Sequence, residues 1–150
     1  MKINQEGLKL IEHFEGFREH AYQDQRGVWT IGYGHTGPEV HSGEVITAEE
    51  GDQLLALDLH VAERVIEHLV KIPLTSNRFS ALVSFVFNEG AGTFMKSTML
   101  KMLNAGDFSG AERQFPLYDK VRIKGVLQST VGLQRRRQAE RALFLKPDAL

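Results

Sequence analysis

Apolar residues recur at helical spacing through most of this 150-residue chain, with one clear break near its start. Leu8, Ile11 and Phe14, with Leu10 beside them, suit a short amphipathic helix, and Gly16 is placed to stop it. Between Tyr22 and Tyr33 the pattern changes. Gly27 sits in a polar turn, Val28-Trp29-Thr30-Ile31 reads as strand, and Gly32 and Gly34 follow closely. A small hairpin or three-stranded sheet ending near Ile46 is expected. Thr47-Ala-Glu-Glu50 is a capping box: the Thr47 hydroxyl can accept from the third helical amide while Glu50 reaches back to the cap. It opens a long helix over about 48–70, whose apolar side is expected to carry Leu54, Leu57, Val61, Val65 and Leu69. Pro73 ends that region. Further helices are expected over about 76–88, from a Ser97 cap to Asn104, over about 109–115 up to Pro116, and over about 131–144. The segment KVRIKGVLQST, residues 120–130, is assigned no element.

The pattern predicts an α+β, mostly α chain. A small N-terminal β-hairpin or sheet lobe, about 16–46, is joined by a connecting helix, about 48–70, to a C-terminal helical lobe, about 74–150, with which the N-terminal helix packs. Two lobes joined in this way are expected to leave a cleft, a common place for a ligand.

Composition narrows the classes. The length suits one domain, and 42% hydrophobic content supports a core. There is no cysteine, so neither a disulfide framework nor a thiolate metal site is available. The net charge of −1 hides an asymmetry. Residues 1–75 hold six Lys/Arg against thirteen Asp/Glu, and residues 76–150 hold twelve against six. A basic face is permitted, but the acidic half offsets it, and nucleic acid is not an expected partner. His60 and His68, eight residues apart on one helix, are too far apart to share a metal, so no metal or cofactor is expected. The N-terminus carries no apolar run of signal-peptide length and no segment could span a bilayer, so synthesis in the cytosol without stable membrane insertion is expected.

Two carboxylates carry the candidate chemistry. Glu15 falls in the last turn of its helix, where the negative end of the helix dipole disfavours a charged carboxylate, and Phe14 and Phe17 flank it. A glutamate held protonated is what a general acid requires. Asp24 lies in a polar, turn-adjacent stretch that would keep it ionised, and Thr30 on the next strand could help hold a water. Carboxylates with opposed protonation tendencies form the acid and base pair of glycoside hydrolysis. Each residue also has a bland reading, as a frayed helix end, a turn former and an ordinary strand residue. His35 is expected to form a buried structural pair with Asp58 on the long helix. In Arg135-Arg136-Arg137, at most one or two side chains can face any one partner; two are expected on a solvated face, with Glu140 pairing back to Arg136 or Arg137, and the third is left open to point at the cleft, where a cation could tune Glu15.

The segment GLKLIEHFEGFREHAYQDQRGVWTIGYGHTG resembles the active-site region of the phage-type lysozymes, the endolysin muramidases of glycoside hydrolase family 24. The family pattern is Glu, an acidic residue nine positions on, Thr six further, then Gly-Tyr-Gly-His. Glu15, Asp24, Thr30 and Gly32-Tyr33-Gly34-His35 match it without a gap. The likeness continues through ALVSFVFNEGAGTFMKSTMLKMLNAGDF and GLQRRRQAERALF, with departures at Tyr118 and over KVRIKGVLQST. The resemblance implies a lysozyme-like fold in which Glu15 protonates the glycosidic oxygen while Asp24 and Thr30 hold the attacking water. It implies sugar contacts at Gly34, Asn88 and Ser97, although Asn88 also suits a helix C-cap and Ser97 an N-cap. It further implies a monomer that cleaves peptidoglycan, kept in the host cytoplasm until a holin opens the route to the cell wall in the periplasm. Two rival readings stand beside it. A lytic transglycosylase cuts the same bond with one glutamate, and Asp24 and Thr30 argue against it. A non-catalytic cell-wall or phage structural module would need no such trio.

Overall fold

The computed structural model describes residues 1–149 and divides into two compact units, Ile11–Val61, and Met1–Leu10 with the chain from Ala62 onward. Both divisions fall inside helices, α1 (Gln5–Glu15) and α2 (Ala48–Leu69).

The unit Ile11–Val61 is built on a three-stranded antiparallel sheet in the order β1 (Arg18–Gln23), β2 (Trp29–Gly32) and β3 (His35–Thr36). Ile31, Val40 and Ile46 form its buried centre, with Phe17, Ala21, Trp29 and Leu54 packed around them. The sheet edge is extended by a bridge between His20 and Val45, flanked by bonds from Ala21 N–H to Glu44 O and from Ile46 N–H to Glu19 O. At the start of α2 both bonds of the capping box form: Glu50 N–H donates to the Thr47 hydroxyl, and Thr47 N–H to Glu50 Oε1, each at 3.1 Å.

The buried stripe of α2 is not the one its periodicity suggested. Gly51, Leu55, Leu59, Ala62 and Ile66 are buried, whereas Leu57 and Val61 are 68% and 67% exposed. Apolar residues surround this helix on more than one side, so spacing alone leaves two stripes open. Gly51 helps decide: the Phe17 ring lies 2.5 Å from where a Cβ at position 51 would stand, which turns that face inward.

The other unit is helical. Its centre is α3 (Ser76–Glu89), capped by Thr75 and buried from Phe79 to Val86. Against it packs α7 (Val131–Leu145). Phe85 sits edge-on to Phe94, Phe115 and Tyr118, with centroids 6.3, 5.6 and 4.9 Å away. Gly7 of α1 lets that helix approach α3, since a Cβ there would come within 2.7 Å of the Ser80 side chain. Asn4 ties the junction by donating its backbone N–H to Ser80 Oγ and its side-chain amide to Ser76 and Asn77. Between α3 and α7 run α4 (Ala91–Met95), α5 (Thr98–Asn104) and α6 (Phe108–Glu112), then a 3₁₀ turn at Phe115–Leu117. Pro116 therefore lies inside that turn rather than ending a helix, and the helix expected over 109–115 is shorter and starts earlier, at its Asp107 cap. The unassigned segment forms a hairpin, β4 (Lys120–Ile123) and β5 (Val126–Ser129).

The arginine run also differs from expectation. Arg136 and Arg137 are both buried, and only Arg135 is exposed. Glu140, fully buried one turn on, binds both: Arg136 Nε at 3.3 Å and Arg137 Nε at 2.9 Å. A third contact comes from the Ser84 hydroxyl, which donates to Glu140 Oε2 at 2.5 Å. Burial pushes the Glu140 carboxyl upward and the Arg137 guanidinium downward, and the mutual pairing opposes both shifts.

Candidate active site

Glu15 is the last residue of α1, and Gly16 at φ +71° ends the helix behind it. The carboxylate is partly buried and lies against Gly34, in the turn between β2 and β3. A Cβ at position 34 would stand 3.0 Å from Glu15 Oε1, and Gly34 also has φ +81°. Glycine is required there for two reasons, the backbone conformation and the room that the carboxylate occupies. Nearby, Tyr33 donates its hydroxyl to Glu12 Oε2 at 3.4 Å and rests against the Phe17 ring.

Asp24 caps the β1–β2 turn. Its Oδ1 accepts from Arg26 N–H at 2.8 Å and Val28 N–H at 2.9 Å. The Val28 amide, with help from Arg26, holds the Asp24 carboxyl below its ordinary range, against a smaller opposing effect of burial. Oδ1 is satisfied by two amides, and Oδ2 lies 3.8 Å from the Arg26 guanidinium.

Thr30 is buried in β2, and its hydroxyl donates to Val28 O at 3.0 Å. Asp24 N–H donates to the same carbonyl at 2.9 Å. One residue's backbone thus fixes both side chains: the Val28 amide orients the carboxylate, and its carbonyl takes the Thr30 proton. The Thr30 oxygen is left able to accept but not to donate. Asp24 Oδ2 and the Thr30 hydroxyl oxygen each keep acceptor capacity for a donor such as water.

His35 follows on β3. Its Nδ1 lies 2.8 Å from Asp58 Oδ2, and its Nε2 lies 2.6 Å from Glu39 Oε1. Burial disfavours the imidazolium, but hydrogen bonds and charge from Glu39 and Asp58 outweigh it, so the His35 pKa is raised above its usual value. Both ring nitrogens are committed to carboxylates, which leaves the ring no edge for substrate. Glu39 was not a sequence candidate, although it stands four residues beyond His35. Val28, whose backbone does the orienting, left no side-chain signal.

Glu15, Asp24, Thr30, Gly34, His35 and Asp58 all belong to the unit Ile11–Val61. Asn88 and Ser97 belong to the other. The Asn88 carbonyl accepts from Arg137 Nη2, so its amide NH₂ group is turned away from that bond. Ser97 is buried as the cap of α5, donating to Phe94 O at 2.7 Å and accepting from Leu100 N–H at 3.0 Å. Among the described residues no group of three or more His, Asp or Glu side chains is arranged to hold a metal ion. Nor among them is any helix long and apolar enough to cross a membrane.

A carboxylate at a helix end and a second carboxylate fixed by backbone amides, both in the unit Ile11–Val61, are a pair of the kind that glycosidases use. The family model described as phage lysozyme matches residues 12–140, and the chain belongs to that family. An endolysin of Acyrthosiphon pisum secondary endosymbiont phage 1 is 44% identical over 96% of this chain and 98% of its own length. The endolysin of Salmonella phage P22 is 42% identical over 97% and 99%. Among solved structures, the muramidase domain of SpmX from Asticaccaulis excentricus is 40% identical with a TM-score of 0.92, over 97% of this chain and 99% of that one.

Proposed function

We propose that this protein is a muramidase that hydrolyses the β-1,4 bond between N-acetylmuramic acid and N-acetylglucosamine in peptidoglycan. Glu15 donates its proton to the glycosidic oxygen, which makes the departing sugar a neutral alcohol. Asp24 and Thr30 hold the water that attacks the anomeric carbon, and Asp24 takes the proton this water loses. The observation that carries the reading is the Val28 backbone. It leaves one carboxylate oxygen and one hydroxyl lone pair available as acceptors, an arrangement suited to gripping a water rather than attacking a sugar. The endolysin and muramidase names of the similar proteins support the substrate class. In the phage setting that those names suggest, the protein is stored in the host cytoplasm and reaches the wall once a holin has opened the membrane.

Mass spectrometry of digested peptidoglycan tests the reaction. Fragments ending in reducing N-acetylmuramic acid are expected. Anhydro ends would mean a transglycosylase, and no fragments would mean a non-catalytic module. Glu15→Gln is expected to fold normally and to lose nearly all release of fragments, since an amide of the same shape has no acid proton to give.

A further inference from the structure

The segment from Lys120 to Ala139 contains no Asp or Glu and six Lys or Arg. Two of these, Arg136 and Arg137, are spent on Glu140 inside the protein. Arg135 is exposed on α7, and the other three lie on the β4–β5 hairpin, where the first strand and the turn residue alternate: Lys120, Val121, Arg122, Ile123, Lys124. Register assigns the faces. Val121 pairs with Gln128 and Ile123 with Val126, so three branched apolar side chains share one face. Lys120 pairs with Ser129 and Arg122 with Leu127 on the other, and Lys124 stands at the turn with φ 50° beside Gly125 at φ 81°. Among the described residues the two strands pair only with each other. Ile123 and Val126 are 42% and 58% exposed, and Leu117 and Val131 at the hairpin base are more exposed still. Lys120 is partly neutralised by Asp119, while Arg122 reaches the turn carbonyl of Gly125.

An isolated two-stranded ribbon gains little from keeping apolar side chains in water, and this one places them behind a row of cations. We propose that the β4–β5 hairpin is a docking surface for an anionic lipid bilayer. Its apolar face meets the acyl boundary, and the long basic side chains reach around the ribbon edge to lipid phosphates. Charge complementarity selects an anionic partner, and the apolar face selects a lipid one. A dissolved polyanion would leave Val121, Ile123 and Val126 in water. The segment 120–134 also has no aromatic side chain on which a nucleic-acid base could stack. Docking of this kind is peripheral and reversible, since neither the apolar nor the charged contribution is large enough alone.

Co-sedimentation of the whole protein with vesicles tests this, using phosphatidylglycerol mixed with phosphatidylcholine against phosphatidylcholine alone. Binding to the anionic vesicles is expected, falling as salt is raised. Arg122→Gln with Lys124→Asn, the asparagine chosen because it tolerates the left-handed turn, is expected to weaken partitioning about 30-fold for two lost cations. Ile123→Thr with Val126→Thr is expected to weaken it as well, and both variants should melt with the wild type because the substituted side chains are exposed. Equal binding to both vesicle types, no binding to either, or variants that bind as the wild type does would each overturn the proposal. So would retention by isolated peptidoglycan, with no retention by vesicles, that these same substitutions abolish. All of these readings are independent of whether Glu15 cleaves glycan.

Discussion

At the scale of single residues, Gly34 and Asp24 make the most exposed claims. A methyl group at position 34 meets the Glu15 carboxylate at 3.0 Å and must also sit at φ +81°. Gly34→Ala is expected to cost about 1–2 kcal/mol from the backbone conformation alone, and to lower activity further by displacing the acid. Thermal melts and fragment release from peptidoglycan check the two effects separately. Asp24→Asn keeps an oxygen for the Arg26 and Val28 amides, so the turn should survive. Catalysis should fall about 10²–10⁴-fold, the usual contribution of a positioned base. Because those amides hold the Asp24 carboxyl low, its ionised form persists on the acid side of the ordinary carboxylate range. Activity limited by this group should therefore hold as pH falls and decline only as pH passes below that lowered value. A rate–pH profile whose acid limb lies well above the ordinary aspartate range would contradict that assignment.

Secondary-structure elements were legible where local chemistry carried the message. The Thr47–Glu50 box, the Val-Trp-Thr-Ile run that becomes β2 and the apolar block of α3 each announce themselves within a few residues. The buried stripe of α2 does not, because Phe17 and Gly51, far apart in sequence, help to choose it. The pairing of Glu140 with Arg136 or Arg137 is legible in the helical spacing, whereas the burial of both arginines and the part of Ser84 are not. The hairpin at 120–129 carries a signal on its first strand only, in the basic–apolar alternation of residues 120–124 that runs into Lys124-Gly125. Two measurements belong at this scale. Glu140→Gln leaves two buried guanidinium groups short of their counter-charge and is expected to cost about 3–5 kcal/mol, a fall in melting temperature of roughly 10 °C for a chain of this size. The His35 clamp between Asp58 and Glu39 gives the second. A raised folded pKa means that the clamp stabilises fully below the free-histidine value of 6.5 and that this contribution is lost as pH rises through the folded value. Asp58→Asn should cost about 1.5 kcal/mol in acid, and less as the solution becomes alkaline. Melting curves of the two proteins that differ equally at every pH would exclude a titrating clamp.

For the whole molecule, the mostly helical fold with its small sheet was legible from periodicity and capping, and Glu15, Asp24 and Thr30 could be named as candidates from side-chain type and spacing. These candidates show in side chains at fixed spacing, whereas the Val28 backbone that holds Asp24 and Thr30, and the absent side chain at Gly34 that makes room for Glu15, show only in the structure. Neither could be read as a role from residue type alone. In the proposed mechanism Asp24 and Thr30 deliver water rather than attack the sugar. Such a mechanism inverts the anomeric centre and needs carboxylates roughly 6.5–9.5 Å apart, against ~5–5.5 Å for a retaining pair. Proton NMR of the first product released from a β-linked peptidoglycan glycan reads this outcome before mutarotation blurs it. The α-anomer should appear first. A β-anomer appearing first would make Asp24 the nucleophile and contradict the water-holding role of Thr30 and the Val28 backbone.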